Sequence, residues 1–391
     1  MTDTETRLRD YLHTVADTVP DTAHGPGLEP PTRRRHWPVL ATAAAIAVVL
    51  VVTVTFLTRL SPDDSVTVPA GPPPGPVSHA APEVPYTVIA GAKLTEFEAT
   101  LHDGDRTISV PAGTTGFFGR VDDGWLGMTH PRGSGSQAAI LRPDGTIRAL
   151  GPEGIELTAL SPDRRQIAVI HQLDGAKGEL VVVDVKSGKQ MSRSPELPLM
   201  PTNLGWNRNG IWYRVDEPAQ PNKPTEYSLH FWRPKSGHVT DIAFPGYNGG
   251  LAVPEASDVV GLTTRRGNNR CLKAGVLRDG AFDEAREYCD VAAAATYPVL
   301  SPDGRTMVSS DVKLAIDIES GKQTRLRLPA DAEVISWPEP VFENVSQLLL
   351  VTEPPGNNRL PVPRQVNRCD VRSGECAVVL KVSGDVTLHK P

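Results

Sequence analysis

The strongest constraint in this 391-residue sequence is a short glycine turn that keeps returning. HDGD around Gly104, RPDGT around Gly145, VKSGK around Gly188, PKSGH around Gly237, RDGA around Gly280, ESGKQ around Gly321 and RSGE around Gly374 each separate two strand-like runs. Their successive intervals are 41, 43, 49, 43, 41 and 53 residues. Glycine suits the last position of a tight hairpin because a positive φ costs it nothing. A repeat of this length, with room for four short strands, is the signature of a propeller blade. The 37 prolines and 34 glycines, with Val, Thr and Ile plentiful, likewise favour many short strands joined by turns.

The surroundings of the turns recur as well. Around Gly188 the runs are Gln166 to His171, Glu179 to Val185 and Lys189 to Ser194; around Gly321 they are Thr306 to Ser309, Val312 to Ile318 and Lys322 to Leu328. Two repeats open with Ser-Pro-Asp, at Leu160-Ser161-Pro162-Asp163 and Leu300-Ser301-Pro302-Asp303-Gly304. Others carry Trp206-Asn207-Arg208-Asn209-Gly210, Val253-Pro254-Glu255 or Trp337-Pro338-Glu339-Pro340 at the same place. In these motifs the sequence resembles the WD40-like β-propellers of the TolB type, whose blades carry WSPDG-type motifs between their first two strands. The resemblance covers residues 85 to 391, and the whole layout is similar to actinobacterial single-pass membrane-anchored propeller proteins. It implies an all-β propeller fold that mostly binds partners. It transfers no functional residue, because the shared motifs are structural.

Seven turns at about 44 residues per blade favour seven blades, with six or eight as alternatives. The first turn lacks two preceding strands of its own. Ring closure is therefore expected, with Val386 to Lys390 joining the blade of Thr95 to Leu101 and removing exposed sheet edges.

Ahead of the repeats, Trp37 to Thr58 contains no Asp, Glu, Lys or Arg. As a helix its 22 residues would be roughly 33 Å long, enough to cross a hydrocarbon core. Arg33, Arg34 and Arg35 precede it and Arg59 alone follows before Asp63 and Asp64, which places the N-terminus in the cytoplasm and everything after Leu60 outside. Residues 4 to 19 place Leu8, Tyr11, Leu12, Val15 and Val19 at helical spacing, with Thr2 and Glu5 as a capping box. This reads as a short amphipathic cytoplasmic helix, either docking a regulator or lying as a tail. The expected domains are a cytoplasmic tail (1–36), a transmembrane helix (37–58), a Pro-rich linker (59–84) and an extracytoplasmic propeller (85–391).

The four cysteines all lie in the exported part. Cys271 and Cys289 are equidistant from Gly280, and Cys369 and Cys376 flank the turn at Gly374, so each pair faces across a hairpin within reach of a disulfide. An oxidising compartment agrees. Neither pair has CxxC spacing or a neighbouring histidine, which speaks against zinc, and no cofactor is expected.

Binding residues usually sit on loops held by a rigid scaffold. The loops joining second to third strands read as the long ones: Pro131 to Ser136, Asp216 to Glu226, Arg265 to Arg270 and Pro354 to Pro361. Two contain Gly-Asn-Asn-Arg, and Arg265, Arg266, Asn268, Asn269, Arg270, Asn357, Asn358 and Arg359 are the candidate contacts for an acidic envelope protein or anionic wall polymer. Turn formation with solvated arginines is the plainer reading of the same residues. His130 and His171 fall at equivalent strand ends, without a third ligand. Asp122, Asp123, Glu339 and Glu343 lie near first strands. No GxSxG stands between a strand and a helix, so no hydrolase domain of the prolyl-oligopeptidase kind is expected. Trp125, Trp206, Trp212, Trp232 and Trp337 recur on blade strands as core. The net charge of −6 and the lack of a basic face exclude nucleic acid. The expected function is a membrane-anchored module binding a protein or envelope ligand, and not an enzyme. The alternative is a lactonase or glycan-active hydrolase in the propeller mouth. Convergent acids or histidines at first-strand ends would favour the enzyme, and an apolar or basic mouth would favour binding.

Overall fold

The computed structural model describes residues 77–391 apart from 91–97, 131–134, 174–176, 218–225, 268, 279–280, 292–297, 310–312, 330–331, 336–338 and 354–362. The expected cytoplasmic helix at 4–19, the apolar run at 37–58 and most of the expected linker lie outside the described residues. No helix among the described residues is long and apolar enough to cross a membrane.

The described chain is a seven-bladed β-propeller built of antiparallel sheets. Blade 3 shows the plan: Ile155–Leu160 innermost, then Gln166–Gln172, Gly178–Asp184 and Gln190–Arg193 outermost. Blade 2 spans residues 114–153, blade 4 201–242, blade 5 247–291 and blade 6 298–325 in the same order. In blade 7 the inner position is shared by Glu333–Val334 and Val341–Phe342, which both pair with Gln347–Glu353. Blade 1 is composite. Asp385–Leu388 is its innermost strand and pairs with Tyr86–Ala90, which is followed outward by Glu98–Asp103 and Arg106–Val110. The ring therefore closes as expected.

Each blade is covered on both faces, so its middle strands are continuous apolar runs and not alternating ones. Within Gln166–Gln172, Ile167 and Val169 pack toward blade 2 while Ala168 and Ile170 pack toward blade 4. Seven hydrophobic clusters result, one for each of the seven blade contacts. Val386 and Leu388 join blade 7 to blade 1, and Leu101 with Ile108 joins blade 1 to Trp125 of blade 2. Trp206, Trp212 and Trp232 are buried core, as expected.

All the described glycine turns join third to fourth strands. Gly104, Gly145, Gly188, Gly237, Gly321 and Gly374 have φ between 58° and 82°. An aspartate opens several of them. Asp184 Oδ1 accepts the Ser187 N–H at 2.7 Å, and Asp317 and Asp370 do the same for Ser320 and Ser373. Both expected disulfides are present, Cys271–Cys289 and Cys369–Cys376, each stapling an outermost strand to the third strand of its blade.

The packed chain begins earlier than the expected boundary at residue 85. Residues 78–84 lie against blade 7, where Val84 is buried and Arg368 donates to the carbonyls of Ser78, Ala80 and Ala81. The sequence hides this strap because it contributes backbone oxygens and no distinctive side chain.

Candidate functional site

Strand direction alternates within a blade, so turns between first and second strands share a face with the glycine turns. The Ser-Pro-Asp turns lie there. The two intact copies have the same wiring. Ser161 Oγ donates to Asp163 Oδ1 at 2.7 Å and accepts the Gln166 N–H at 2.9 Å; Ser301 Oγ donates to Asp303 at 2.6 Å and accepts the Thr306 N–H at 2.9 Å. The Ser161 hydroxyl holds the Asp163 carboxyl below the usual carboxylate range. These turns carry structure and leave the following residue to vary.

That following residue is Gly304 in blade 6 and Arg164 in blade 3. Both have positive φ, 71° and 57°. At Gly304 a Cβ would stand 2.1 Å from Ser257 Oγ, so only glycine fits. At position 164 a full side chain enters the same conformation and reaches over the central channel. Its Nη2 donates to Glu255 Oε2 at 3.4 Å and its Nη1 to the Arg120 carbonyl at 3.3 Å.

Beneath this contact the inner strand ends enclose a cavity of about 350 Å³. Leu204, Leu251, Val253, Val299, Leu300 and Phe342 supply apolar wall from blades 4, 5, 6 and 7. Arg164, Glu255, Glu339, Lys390 and Asn203 bring polar side chains to its lining, and no histidine lines it among the described residues. A second cavity of about 60 Å³ shares Leu204, Gly205, Glu255 and Lys390 and adds Phe118 and Thr158. The volume of the first falls at the lower end of small-ligand sites, roughly 300–1,000 Å³.

The described part of the sequence-predicted basic rim, Arg265, Arg266, Asn269 and Arg270, lies on the opposite face. The stretch at 265–270 is not a long loop: Val259–Arg266 and Asn269–Arg278 pair to their ends, leaving a two-residue connection. Arg265 is registered opposite Arg270 and Arg266 opposite Asn269. Arg265 Nε donates to the Gly267 carbonyl at 3.0 Å, and Arg266 lies 3.8 Å from Glu287. Asn268, Asn357, Asn358 and Arg359 lie outside the described residues. His171 Nδ1 contacts the buried Glu179 at 2.9 Å, and Glu179 also pairs with Arg193, so His171 belongs to a polar row along blade 3. Among the described residues, the group with metal-binding spacing is Cys271, Glu287 and Cys289, whose sulfurs are already joined.

Sequence reasoning missed one arrangement with catalytic spacing. On blade 4, His230 Nε2 is 2.9 Å from Ser228 Oγ and Nδ1 is 2.8 Å from Asp241 Oδ1. The Asp241 side chain is 86% exposed, so water screens its field at the imidazole, and Ser228 also donates to Glu217 at 3.2 Å. None of the three lines the central cavity. Ser228 and His230 are two residues apart on one strand face, and Asp241 is the cross-strand neighbour of His230. Strand alternation alone could have found the set.

No family model matches this sequence, and no curated protein matches it. Among solved structures, the β-propeller domain of the Trilobed protease from Pyrococcus furiosus, described as having an open velcro topology, matches at 14% identity with a TM-score of 0.53. The match covers 77% of this chain and 93% of that one. The Dos1 propeller matches at 10% identity over 79% of this chain and 87% of that one, TM-score 0.47. An oligogalacturonate lyase in complex with manganese matches at 14% identity over 65% of this chain and 79% of that one, TM-score 0.48. The first likeness supports the fold alone, and the other two carry no argument. By fold this chain is a β-propeller, closed here by hydrogen bonds between Asp385–Leu388 and Tyr86–Ala90.

Proposed function

We propose that this chain is a membrane-anchored binding module whose propeller, displayed outside the cell, takes its ligand into the central channel on the Ser-Pro-Asp face. The carrying observation is the cavity walled by Leu204, Leu251, Val253, Val299, Leu300 and Phe342 with charged groups at its rim. An apolar, largely pre-formed pocket with a few convergent polar groups is what a small ligand or a partner's terminal segment needs. Two acids, Glu255 and Glu339, reach the mouth, and Glu255 is engaged by Arg164 at 3.4 Å; the predominantly apolar wall is what supports binding over a hydrolase there. Two disulfides support an oxidising compartment, and the charge-free run at 37–58 with Arg33 to Arg35 before it supports the anchor. In this reading the amphipathic segment at 4–19 is free to dock a cytoplasmic regulator.

The reading is tested with an apolar fluorophore, anilinonaphthalene sulfonate, added to the folded full-length protein in detergent micelles. One saturable site is expected at neutral pH, after subtraction of the micelle signal. Val299→Arg, which puts a charge into the apolar wall, removes it, and Arg266→Ala on the other face leaves it intact. Equal binding by both variants would sink the assignment to the channel.

A further inference from the structure

The geometry points to Arg164 as a ligand anchor, and to the C-terminal end of an apolar peptide as the ligand class. This rests on the channel reading above and gives it a chemistry. Three observations converge. Arg164 holds a left-handed conformation at a turn position that blade 6 fills with glycine, so the chain keeps a strained backbone where glycine would relieve it. Strain retained at one copy of a repeat marks a side chain kept for another purpose.

That side chain is only lightly engaged. Its two contacts among the described residues, to Glu255 and to the Arg120 carbonyl, are both long at 3.4 and 3.3 Å. A guanidinium has five N–H donors in a fork that matches a carboxylate, so Arg164 can accept a second anion while keeping Glu255. Lys390, exposed on the same rim, makes no ion pair with a carboxylate among the described residues. Two cations, Arg164 and Lys390, thus stand with two carboxylates, Glu255 and Glu339, over an apolar wall, and an incoming carboxylate is met by the Arg164 donors that Glu255 leaves unused and by Lys390.

The remaining polar groups decide between kinds of acid. Asn203 and Glu339 line the same cavity and can accept hydrogen bonds from amide N–H groups. A peptide end supplies those donors together with the carboxylate and apolar side chains. A fatty acid supplies the carboxylate and the chain only. The peptide end therefore uses all three features of the mouth.

The test compares N-acetyl-Ala-Val-Leu as free acid, the same peptide as its C-terminal amide, and decanoate, each titrated by calorimetry against the folded full-length protein. The free acid is expected to bind about ten- to a hundredfold more tightly than the amide, the range for a charge-assisted contact. Arg164→Gly, which restores the Ser-Pro-Asp-Gly form of blade 6, brings the acid down to the amide's affinity. Its melting temperature is unchanged or raised, which separates lost recognition from lost folding. Equal binding of acid and amide, or an acid preference that survives Arg164→Gly, overturns the anchor. Decanoate binding more tightly than the peptide overturns the peptide assignment. Binding of none of the three overturns the inference, while the channel reading stands or falls separately with the fluorophore.

Discussion

Arg368→Ala lowers the unfolding free energy by about 3–5 kcal/mol, measured by guanidinium denaturation at neutral pH. The Arg368 and Glu343 side chains are each 1% exposed, paired through Nε and through Nη2 to Oε1 at 2.9 Å. The same guanidinium donates to Ser78 and Ala80 carbonyls at 2.9 Å and to Ala81 at 3.0 Å, while Glu343 Oε1 accepts the Glu83 N–H at 2.7 Å. Truncation leaves a buried carboxylate without its counter-charge and three carbonyls without a donor. The strap at 78–84 then loses its clamp, so proteolysis within it should accelerate in step with the lost stability. Removing both charges, as Arg368→Met with Glu343→Leu, costs much less than Arg368→Ala alone, because the uncompensated charge is gone. A single-variant loss below about 1 kcal/mol would contradict the burial of this pair.

The second large effect is a loss of stability in mild acid, centred on His389. Its ring is buried, stacked edge-on against Phe117, with Nδ1 donating to the Phe117 carbonyl at 3.0 Å and Nε2 accepting from Thr87 Oγ1 at 2.6 Å. Burial pushes its pKa down to about 4, against an ordinary 6.5. The unfolded chain therefore takes up a proton below about pH 6.5 that the folded chain refuses until about pH 4. The associated stability is fully present above pH 6.5 and falls away as the pH drops through that window. The loss amounts to about 1 kcal/mol by pH 5.5 and about 3 kcal/mol by pH 4. His389 follows the closing strand and touches both Tyr86–Ala90 and blade 2, so the acid-sensitive point is the ring closure itself. Comparing denaturation at pH 7.5 and 5.5 for the wild type and His389→Gln checks this. The variant should be less stable at the higher pH but show a smaller difference between the two. An equal difference would place the acid sensitivity elsewhere.

The fold was readable because propeller blades are specified locally. Gly188 and Gly321 each end a turn that begins at an aspartate four residues earlier, and Ser161 and Ser301 each bond a residue five positions on. Such contacts leave a repeating mark on the sequence. The candidate site leaves none. Arg164 and Glu255 are 91 residues apart and meet because blades 3 and 5 bring their first turns to one channel. The cavity wall is ordinary apolar residues at inner-strand ends, indistinguishable in sequence from those that fill the blade contacts. Arg164 stood in plain view as the residue that replaces glycine after Ser-Pro-Asp, yet its reach depends on a backbone conformation the sequence does not display. The long-loop reading of residues 265–270 is corrected in the opposite sense. Asn269 and Arg270 have loop-like neighbours, but they extend the third strand of blade 5, where pairing with Arg265 and Arg266 overrides the turn preference of Gly-Asn-Asn.

The central claim is that the working surface is the channel mouth and not the long-loop face. Site-specific photocrosslinking on the native membrane tests it most directly, with benzoylphenylalanine placed in turn at Val299 inside the cavity and at Arg266 on the opposite rim. Capture of one defined envelope species at Val299, competed away by N-acetyl-Ala-Val-Leu and absent at Arg266, is the result the account predicts. Capture at Arg266 with none at Val299 would contradict it and assign binding to the opposite face.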